Sequence, residues 1–114
     1  MLYFVKGEFI EENNAGKPIP EIIATVEGMV APSLEALEKA MQAKKVTGGL
    51  AAGEREGYFI MEASSNEELG EFLRSLPFWV AMKWTVVPLQ SPRSAIEQDK
   101  AFIQKAKAML GGKR

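Results

Sequence analysis

The side chains best suited to acid–base chemistry in this sequence lie close to its start, at Lys6 and Glu8. Histidine and cysteine are both absent, so proton transfer has to use Glu, Asp, Lys or Tyr, and thiolate chemistry, disulfides and cysteine metal sites are excluded. In a strand, Phe4, Lys6 and Glu8 share one face because successive side chains alternate. Lys6 could stabilise a developing oxyanion, and Glu8 could act as a base if desolvation raised its pKa. The alternative is that both side chains only pair with charges at the strand end or meet solvent.

Four aromatic or basic side chains are candidate ligand contacts: Phe4, Tyr58, Lys83 and Trp84. Phe4 lies beside Lys6 on the same predicted face, and Tyr58 could orient a ligand through its hydroxyl. Lys83 interrupts the most hydrophobic strand, which a pocket would explain, although edge strands also carry lysine to block unwanted pairing. Trp84 belongs to an aromatic group that either lines an apolar pocket or fills the core or a dimer interface.

The first half of the sequence predicts a strand, a long helix and two further strands. The strand covers Leu2 to Ile10, and turn residues follow it at Asn13, Asn14, Gly16 and Pro18. The helix begins near Pro20 and is kinked or restarted at Pro32, because an interior proline removes a hydrogen bond. After Gly48 and Gly49 comes a weak strand over 50–52, a polar hairpin turn over 53–57 that leaves Glu54 to Glu56 solvated, and a strand over 58–61.

The second half predicts a helix, a strand and a final helix. Ser65 and Glu68 form a capping box, and the helix that they begin ends at Pro77. A long apolar run over 78–89 predicts the fourth strand. Ser94 and Glu97 form a second capping box, which opens an amphipathic helix ending at the glycines 111 and 112.

This order of elements, β, α, β, β, α, β, α, predicts one α+β domain over residues 1–114. It is the ferredoxin-like βαββαβ arrangement of an antiparallel sheet with an extra C-terminal helix. Helices on one side leave the other sheet face bare, and an exposed apolar face has to be covered. Pairing of two copies through that face, as a dimeric α+β barrel, is the simplest solution. The last helix either covers its own subunit or reaches across to a neighbour.

Composition excludes several classes of function. The net charge is -1 with both signs scattered along the chain, so no positive field is expected to gather nucleic acid or anionic lipid. Lys6 and Glu8 interrupt the only apolar stretch near the start, and no uncharged run is long enough for a bilayer, which predicts a cytoplasmic protein without a membrane span. Gly48 and Gly49 lack the context of a phosphate loop. The methionines are spaced as core fillers, and no metal site is expected.

Several segments of the chain resemble the muconolactone isomerase family. They are Met1-Leu2 with Val5-Lys6, Ser64-Ser65, Leu69 to Leu76-Pro77 leading into Met82, the strand end at Leu89, and Ser91-Pro92. The similarity covers about residues 33 to 95 and the first strand. Its best segment, 64–89, consists of helix and strand packing, so it indicates the fold more directly than an activity.

The resemblance implies a dimeric α+β barrel, often assembled into rings, that shifts a proton within an unsaturated lactone without a cofactor. Such an enzyme would be an intramolecular isomerase that moves a C=C bond in a small apolar or carboxylated metabolite. Lys6 stands at a matching lysine, and Lys6 and Glu8 would carry the chemistry.

Two other hypotheses stay open beside the isomerase. Phe4 stands where familiar members have histidine, and Lys83 and Thr85 stand where carboxylates are expected, which favours a non-catalytic barrel that serves ligand binding or assembly. The other hypothesis, an oxygen-using or peroxide-linked barrel enzyme, is disfavoured because the usual haem ligand, histidine, is missing.

Overall fold

The computed structural model describes residues 1–11 and 15–111, and it places a layer of helices against one face of an antiparallel sheet. The predicted order of elements is confirmed; Asn13 and Asn14, predicted as turn residues, lie outside the described residues. The strands are β1 (Leu2–Phe9), β2 (Val46–Leu50), β3 (Glu56–Glu62) and β4 (Met82–Leu89). The helices are α1 (Ile19–Thr25), α2 (Ala31–Gln42), α3 (Asn66–Ser75) and α4 (Pro92–Gly111).

The four strands lie in the order β2-β3-β1-β4, and each neighbouring pair is antiparallel. This is the topology of the ferredoxin-like fold, so the predicted fold class is confirmed. β4 is an edge strand, as Lys83 suggested, and β2 is the other edge. The core lies between the sheet and the helices α2 and α3, and its most deeply buried side chains include Tyr3, Val5, Met61 and Leu76.

The first helical region is continuous across Pro32 because one turn in front of the proline is widened. Residues Val26–Val30 form a π-helical turn between α1 and α2, in which the Ala31 amide donates to the Val26 carbonyl. Proline has no amide hydrogen and its ring crowds the preceding turn. The wider turn gives this ring room, and α2 then begins with Pro32 in its first turn.

The second strand lies earlier in the chain than the sequence predicted. β2 pairs with β3 from Val46 opposite Met61 to Leu50 opposite Gly57, so Gly48 and Gly49 are inside the strand and residues 51–55 form the connection. The prediction of a strand over 50–52 and a turn reaching Gly57 was therefore wrong. Glycine weakens isolated strands, but pairing with β3 overrides that preference. Gly48 also has a φ of +121°, which other residues rarely adopt.

The capping box at the start of α3 is confirmed with one variation. The Glu68 amide donates to Ser65 Oγ at 3.1 Å, while the Glu68 carboxylate reaches back to Ser64, accepting from its amide at 3.0 Å and from its hydroxyl. These hydrogen bonds from Ser64 lower the pKa of Glu68. After α3, residues Trp79–Ala81 form a 3₁₀ turn, so the strand predicted over 78–89 begins only at Met82.

The last helix begins one turn before the predicted capping box. The Ser94 amide donates to Ser91 Oγ at 3.0 Å, and Pro92 is the first helical residue, where its fixed φ suits a helix start. α4 has no buried residue, and the molecule measures 76 × 32 × 26 Å. α4 therefore projects from the rest of the molecule and does not cover its own subunit. Within residues 1–11 and 15–111, no helix combines the length and apolar character needed to cross a membrane.

Candidate ligand pocket

The two faces of the sheet divide the predicted site residues. Along β1, Tyr3, Val5 and Gly7 point towards the helices, whereas the alternating residues point to the outer face. The strand register pairs Lys6 with Tyr58 and Glu8 with Lys83, so these residues are cross-strand neighbours. Five of the predicted residues share the outer face: Phe4, Lys6, Glu8, Tyr58 and Lys83. Trp84 lies on the opposite face, towards the helices.

On the outer face, Lys6 is the centre of a network of charges. Its Nζ lies 2.8 Å from Glu8 Oε1 and 3.6 Å from Glu56 Oε2, and 5.8 Å from the centre of the Tyr58 ring. The Tyr58 hydroxyl donates to the Glu56 carboxylate. Glu56 was predicted to lie in a solvated turn, but it belongs to β3 and its side chain is only 21% exposed. The network thus contains a carboxylate that the sequence reasoning missed.

Hydrogen bonding sets the protonation states in this network. The contact with Glu8 raises the pKa of Lys6, and the hydrogen bond from Tyr58 lowers the pKa of Glu56. The bond to Glu56 in turn raises the pKa of Tyr58. Lys6 is therefore held as a cation and Glu56 as an anion.

An apolar space lies on the other face, between the sheet and the helical layer. It is a cavity of about 280 Å³ that opens to solvent beside α1. Its walls are mainly aromatic and aliphatic: Phe9, Ile22, Val26, Val30, Leu34, Leu37, Leu50, Phe59, Phe78, Met82 and Trp84. Neither Lys6 nor Lys83 lines it, and Glu56 is the one member of the outer-face network among its lining residues, so the two features meet at that residue.

Two glycines on the central strands form the floor of this cavity. Gly7 of β1 and Gly57 of β3 are paired directly, and the row continues to Leu50 on one side and Trp84 on the other. A Cβ added at Gly7 would lie 2.9 Å from Trp84 Cζ3, and one added at Gly57 would lie 2.7 Å from Phe59 Cε2. The absence of side chains at both positions lets the aromatic rings lie against the sheet and leaves space above them.

Trp84 is held firmly as one wall of the cavity. Its Nε1 donates to the Trp79 carbonyl at 3.2 Å, and its ring meets the Phe78 ring edge-on, with 6.0 Å between centroids and 63° between planes. Such contacts fix the orientation of the indole ring. Trp84 therefore packs in the core and also faces the cavity. The core and the apolar pocket, which the sequence offered as alternatives, are both next to this residue.

The mouth of the cavity carries its charged groups. Of the described residues that line the cavity, Arg55 is the only cation, and its Nη1 lies 2.8 Å from Glu11 Oε2 at the exposed rim. The Phe9 amide donates to the Arg55 carbonyl at 2.9 Å, which ties this loop to β1. The site can therefore hold a small apolar molecule with one cation near its entrance.

Gly7 and Gly57 are cavity-lining positions that sequence reasoning missed. Glycine inside a strand pattern indicates a close approach of other groups, and both positions carried that signal. Gly57 was instead predicted as the end of a turn, and the pairing with Gly7 becomes visible only in the sheet register. Among residues 1–11 and 15–111, no group of three or more acidic side chains is arranged to hold a metal ion.

The α+β fold is shared with two solved enzymes. A crystal structure of muconolactone isomerase superposes with a TM-score of 0.63 at 22% identity, covering 81% of this chain and 92% of that one. A 5-chloro-2-hydroxyhydroquinone dehydrochlorinase from Burkholderia phenoliruptrix AC1100, in complex with 2,5-dihydroxybenzoquinone, gives 0.50 at 24% identity, covering 82% and 97%. This chain thus has the muconolactone isomerase-like fold that the sequence predicted. No protein-family model and no curated protein matches it by sequence.

Proposed function

We propose that this chain is a small-metabolite binding protein that holds a single-ring molecule in the cavity between sheet and helices. The observation that carries the proposal is the apolar cavity of about 280 Å³ above the paired glycines. An apolar cavity of about 150 Å³ accommodates benzene, and sites for larger ligands begin near 300 Å³. A single substituted ring has a size that matches the volume of this cavity. The dehydrochlorinase of the same fold was solved with such a ring, 2,5-dihydroxybenzoquinone.

Arg55 supports a ligand that carries a carboxylate. A guanidinium group binds carboxylates in a bidentate manner, and its present partner, Glu11, lies at the exposed rim where a ligand could replace it. An apolar ring would occupy the cavity while its carboxylate pairs with Arg55 at the mouth. The ligand class is therefore an aromatic or unsaturated ring acid.

The exposed outer face supports self-association as a homodimer. One end of this face is apolar, formed by Leu2, Phe4, Ile60, Val87 and Leu89. Three of these side chains are nearly half exposed, Leu2 at 48%, Val87 at 45% and Leu89 at 43%. A continuous apolar patch of this kind is typically covered by another molecule. Face-to-face packing of two copies would bury it and would also remove water from the Lys6 network.

Tryptophan fluorescence tests the pocket directly. A Trp79→Phe variant leaves Trp84 as the single tryptophan, because the chain has only two. Titration with benzoate should then change the Trp84 emission and raise the melting temperature, and toluene should bind without sensitivity to Arg55→Met. Failure of both probes to shift either signal would overturn the proposal.

Matched variants on one helix locate the binding. Val26 lines the cavity and Ile23 does not, yet both are about half exposed, at 48% and 50%. Val26→Phe should fill the space and abolish benzoate binding, whereas Ile23→Phe should leave it unchanged. Equal loss in both variants would show that the cavity is not the binding site.

The second candidate function is the isomerisation of an unsaturated lactone, with Glu8 as base and Lys6 as the cation that stabilises the enolate. The 2.8 Å contact between these side chains favours it, because a proton shift needs both groups at one carbonyl-bearing substrate. Glu8→Gln and Lys6→Met should each abolish lactone turnover while leaving benzoate binding intact. Turnover that survives both changes would remove this face from the chemistry.

A further inference from the structure

We infer that α4 of one copy docks against α1 and the following π turn of a second copy. The inference rests on the proposed self-association and does not depend on ligand binding. It assigns a partner to a helix that buries none of its residues within its own subunit.

The apolar side chains of α4 form a stripe made of two rows with seven-residue spacing. One row contains Ile96, Ile103 and Leu110, and the other contains Ala95, Phe102 and Met109. Phe102 is 69% exposed and Leu110 is 70% exposed. Rows that repeat every seven residues stay on one side of a helix, which is the pattern of a helix packing along another helix.

The connection to β4 keeps α4 away from its own helical layer. Only Gln90 and Ser91 separate Leu89 from Pro92. The Gln90 side-chain Nε2 donates to Ser94 Oγ at 3.1 Å and to Gln98 Oε1 at 2.7 Å, and Ser91 Oγ accepts from the Ser94 backbone amide. A linker this short and hydrogen-bonded holds the helix in its projecting direction. The stripe can therefore be covered only by another molecule.

A surface of matching character lies on the first helical region. Ile19, Ile23 and Val26 are spaced by four and three residues and are 72%, 50% and 48% exposed, so they form an apolar row on α1. α1 is short, but the row continues into the π turn through Val26. Packing two such rows together is ordinary helix–helix contact.

The charges beside the two rows are complementary. On α4, Arg93, Lys100 and Lys107 follow the same seven-residue spacing along one edge of the stripe, and the helix carries four basic and two acidic residues. Residues 19–30, which form α1 and the π turn, carry two acidic residues, Glu21 and Glu27, and no basic residue. Opposite charges would therefore flank the apolar contact, which favours a second copy of this chain over a partner of unspecified charge.

The natural absence of cysteine allows a crosslinking test in the full-length protein. Chains carrying Ile23→Cys and chains carrying Ile103→Cys, distinguished by a tag, are co-expressed and treated with a short bismaleimide. A crosslinked product containing one chain of each kind is expected. Gln104→Cys, on the opposite side of α4 from the stripe, is the matched control and should give several-fold less mixed product, and Phe102→Glu should remove the product with Ile103→Cys.

The mass in solution separates this inference from the proposed dimer. A dimer by analytical ultracentrifugation that gives no selective product between positions 23 and 103 would overturn the docking of α4 and leave the sheet-face dimer standing. A crosslink within a single chain carrying both cysteines would overturn it too, because α4 would then pack on its own subunit. A monomer at high concentration would overturn both self-association and docking, while benzoate binding would remain a separate result.

Discussion

The two faces of the sheet carry different features, a charged network and an apolar cavity, although both are built from alternate residues of the same strands. On the outer face, Lys6, Glu8 and Glu56 satisfy one another in a network of ion pairs and hydrogen bonds. On the helical face, Gly7 and Gly57 contribute no side chain, and a cavity lies above them. Titratable side chains lie on the first face, whereas the second face has two positions without a side chain. The cavity therefore lies where two strand positions lack a side chain, whereas Lys6 and Glu8 lie on the opposite face.

The largest difference between the faces is expected from two neighbouring residues of β3. Met61 is 1% exposed on the helical face, whereas Ile60 is half-buried on the outer face. Met61→Ala should lower the free energy of unfolding by about 2–5 kcal/mol, because it leaves a hole in a packed core. Ile60→Ala should lower the free energy of unfolding clearly less than Met61→Ala does, when both are measured at low protein concentration. Urea denaturation of both variants measures this.

Concentration sharpens the same comparison. If the outer face is buried between two copies, the loss caused by Ile60→Ala grows as the protein concentration rises, because the folded dimer is then favoured by mass action. The loss of unfolding free energy caused by Met61→Ala should change little with protein concentration. Equal losses for the two variants at every concentration would contradict the division of the sheet into a core face and an interface face.

A smaller difference is expected from two strand glycines. A methyl group at Gly7 would meet Trp84 Cζ3 at 2.9 Å and Met82 Cε at 3.1 Å, whereas nothing lies within 4 Å of one at Gly49. Gly7→Ala should therefore cost about 1–3 kcal/mol through overpacking. It should also shift the Trp84 emission, because the ring has to move into the cavity.

Gly49→Ala is the control for this change. Its effect should stay within about 1 kcal/mol and tend towards stabilisation, since alanine restricts the unfolded chain more than glycine does. Thermal unfolding with fluorescence detection checks both variants. Gly7→Ala with wild-type stability and emission would mean that Trp84 does not lie against the sheet at this position.

The fold was predictable because its signals are local. Ser65 and Glu68 announce α3 within one turn of helix, and the two-residue period of β1 places Lys6 and Glu8 on one face without knowledge of any other strand. β2 was misplaced because glycines at 48 and 49 are poor strand residues by themselves, and only their pairing with β3 decides their conformation.

The cavity was not predictable because it depends on residues that are distant in sequence. Gly7 becomes part of a floor only when the register sets it opposite Gly57, and Trp84 becomes a wall only when β4 lies next to β1. The same register separates Trp84 from the other predicted ligand contacts. A list of reactive side chains could not reveal that separation, since it contains no information on which strands are neighbours.

The smallest expected effect concerns proton binding on the outer face. The hydrogen bond from Tyr58 is the main cause that lowers the pKa of Glu56, so Tyr58→Phe should raise that pKa towards the ordinary value for glutamate. Carbon-detected NMR titration of the Glu56 carboxyl measures the shift. Glu68 is an internal control, because its own lowered pKa comes from Ser64 at the start of α3 and should not respond.

The sign of the stability effect follows from these directions. A carboxyl whose pKa is lowered in the folded state stabilises the protein fully above its unfolded pKa, and this contribution is lost as the pH falls through the folded value. Lys6 has a raised pKa, so its contribution is present at neutral pH and is lost only as the pH rises through that raised value. The network is therefore intact between these limits. Tyr58→Phe should narrow this pH window at its acidic end by raising the pKa of Glu56, and it should also change the alkaline end, because it removes a hydroxyl whose own pKa is raised. An acidic limit that does not move in Tyr58→Phe would contradict the hydrogen bond from Tyr58 as the main cause that lowers the pKa of Glu56.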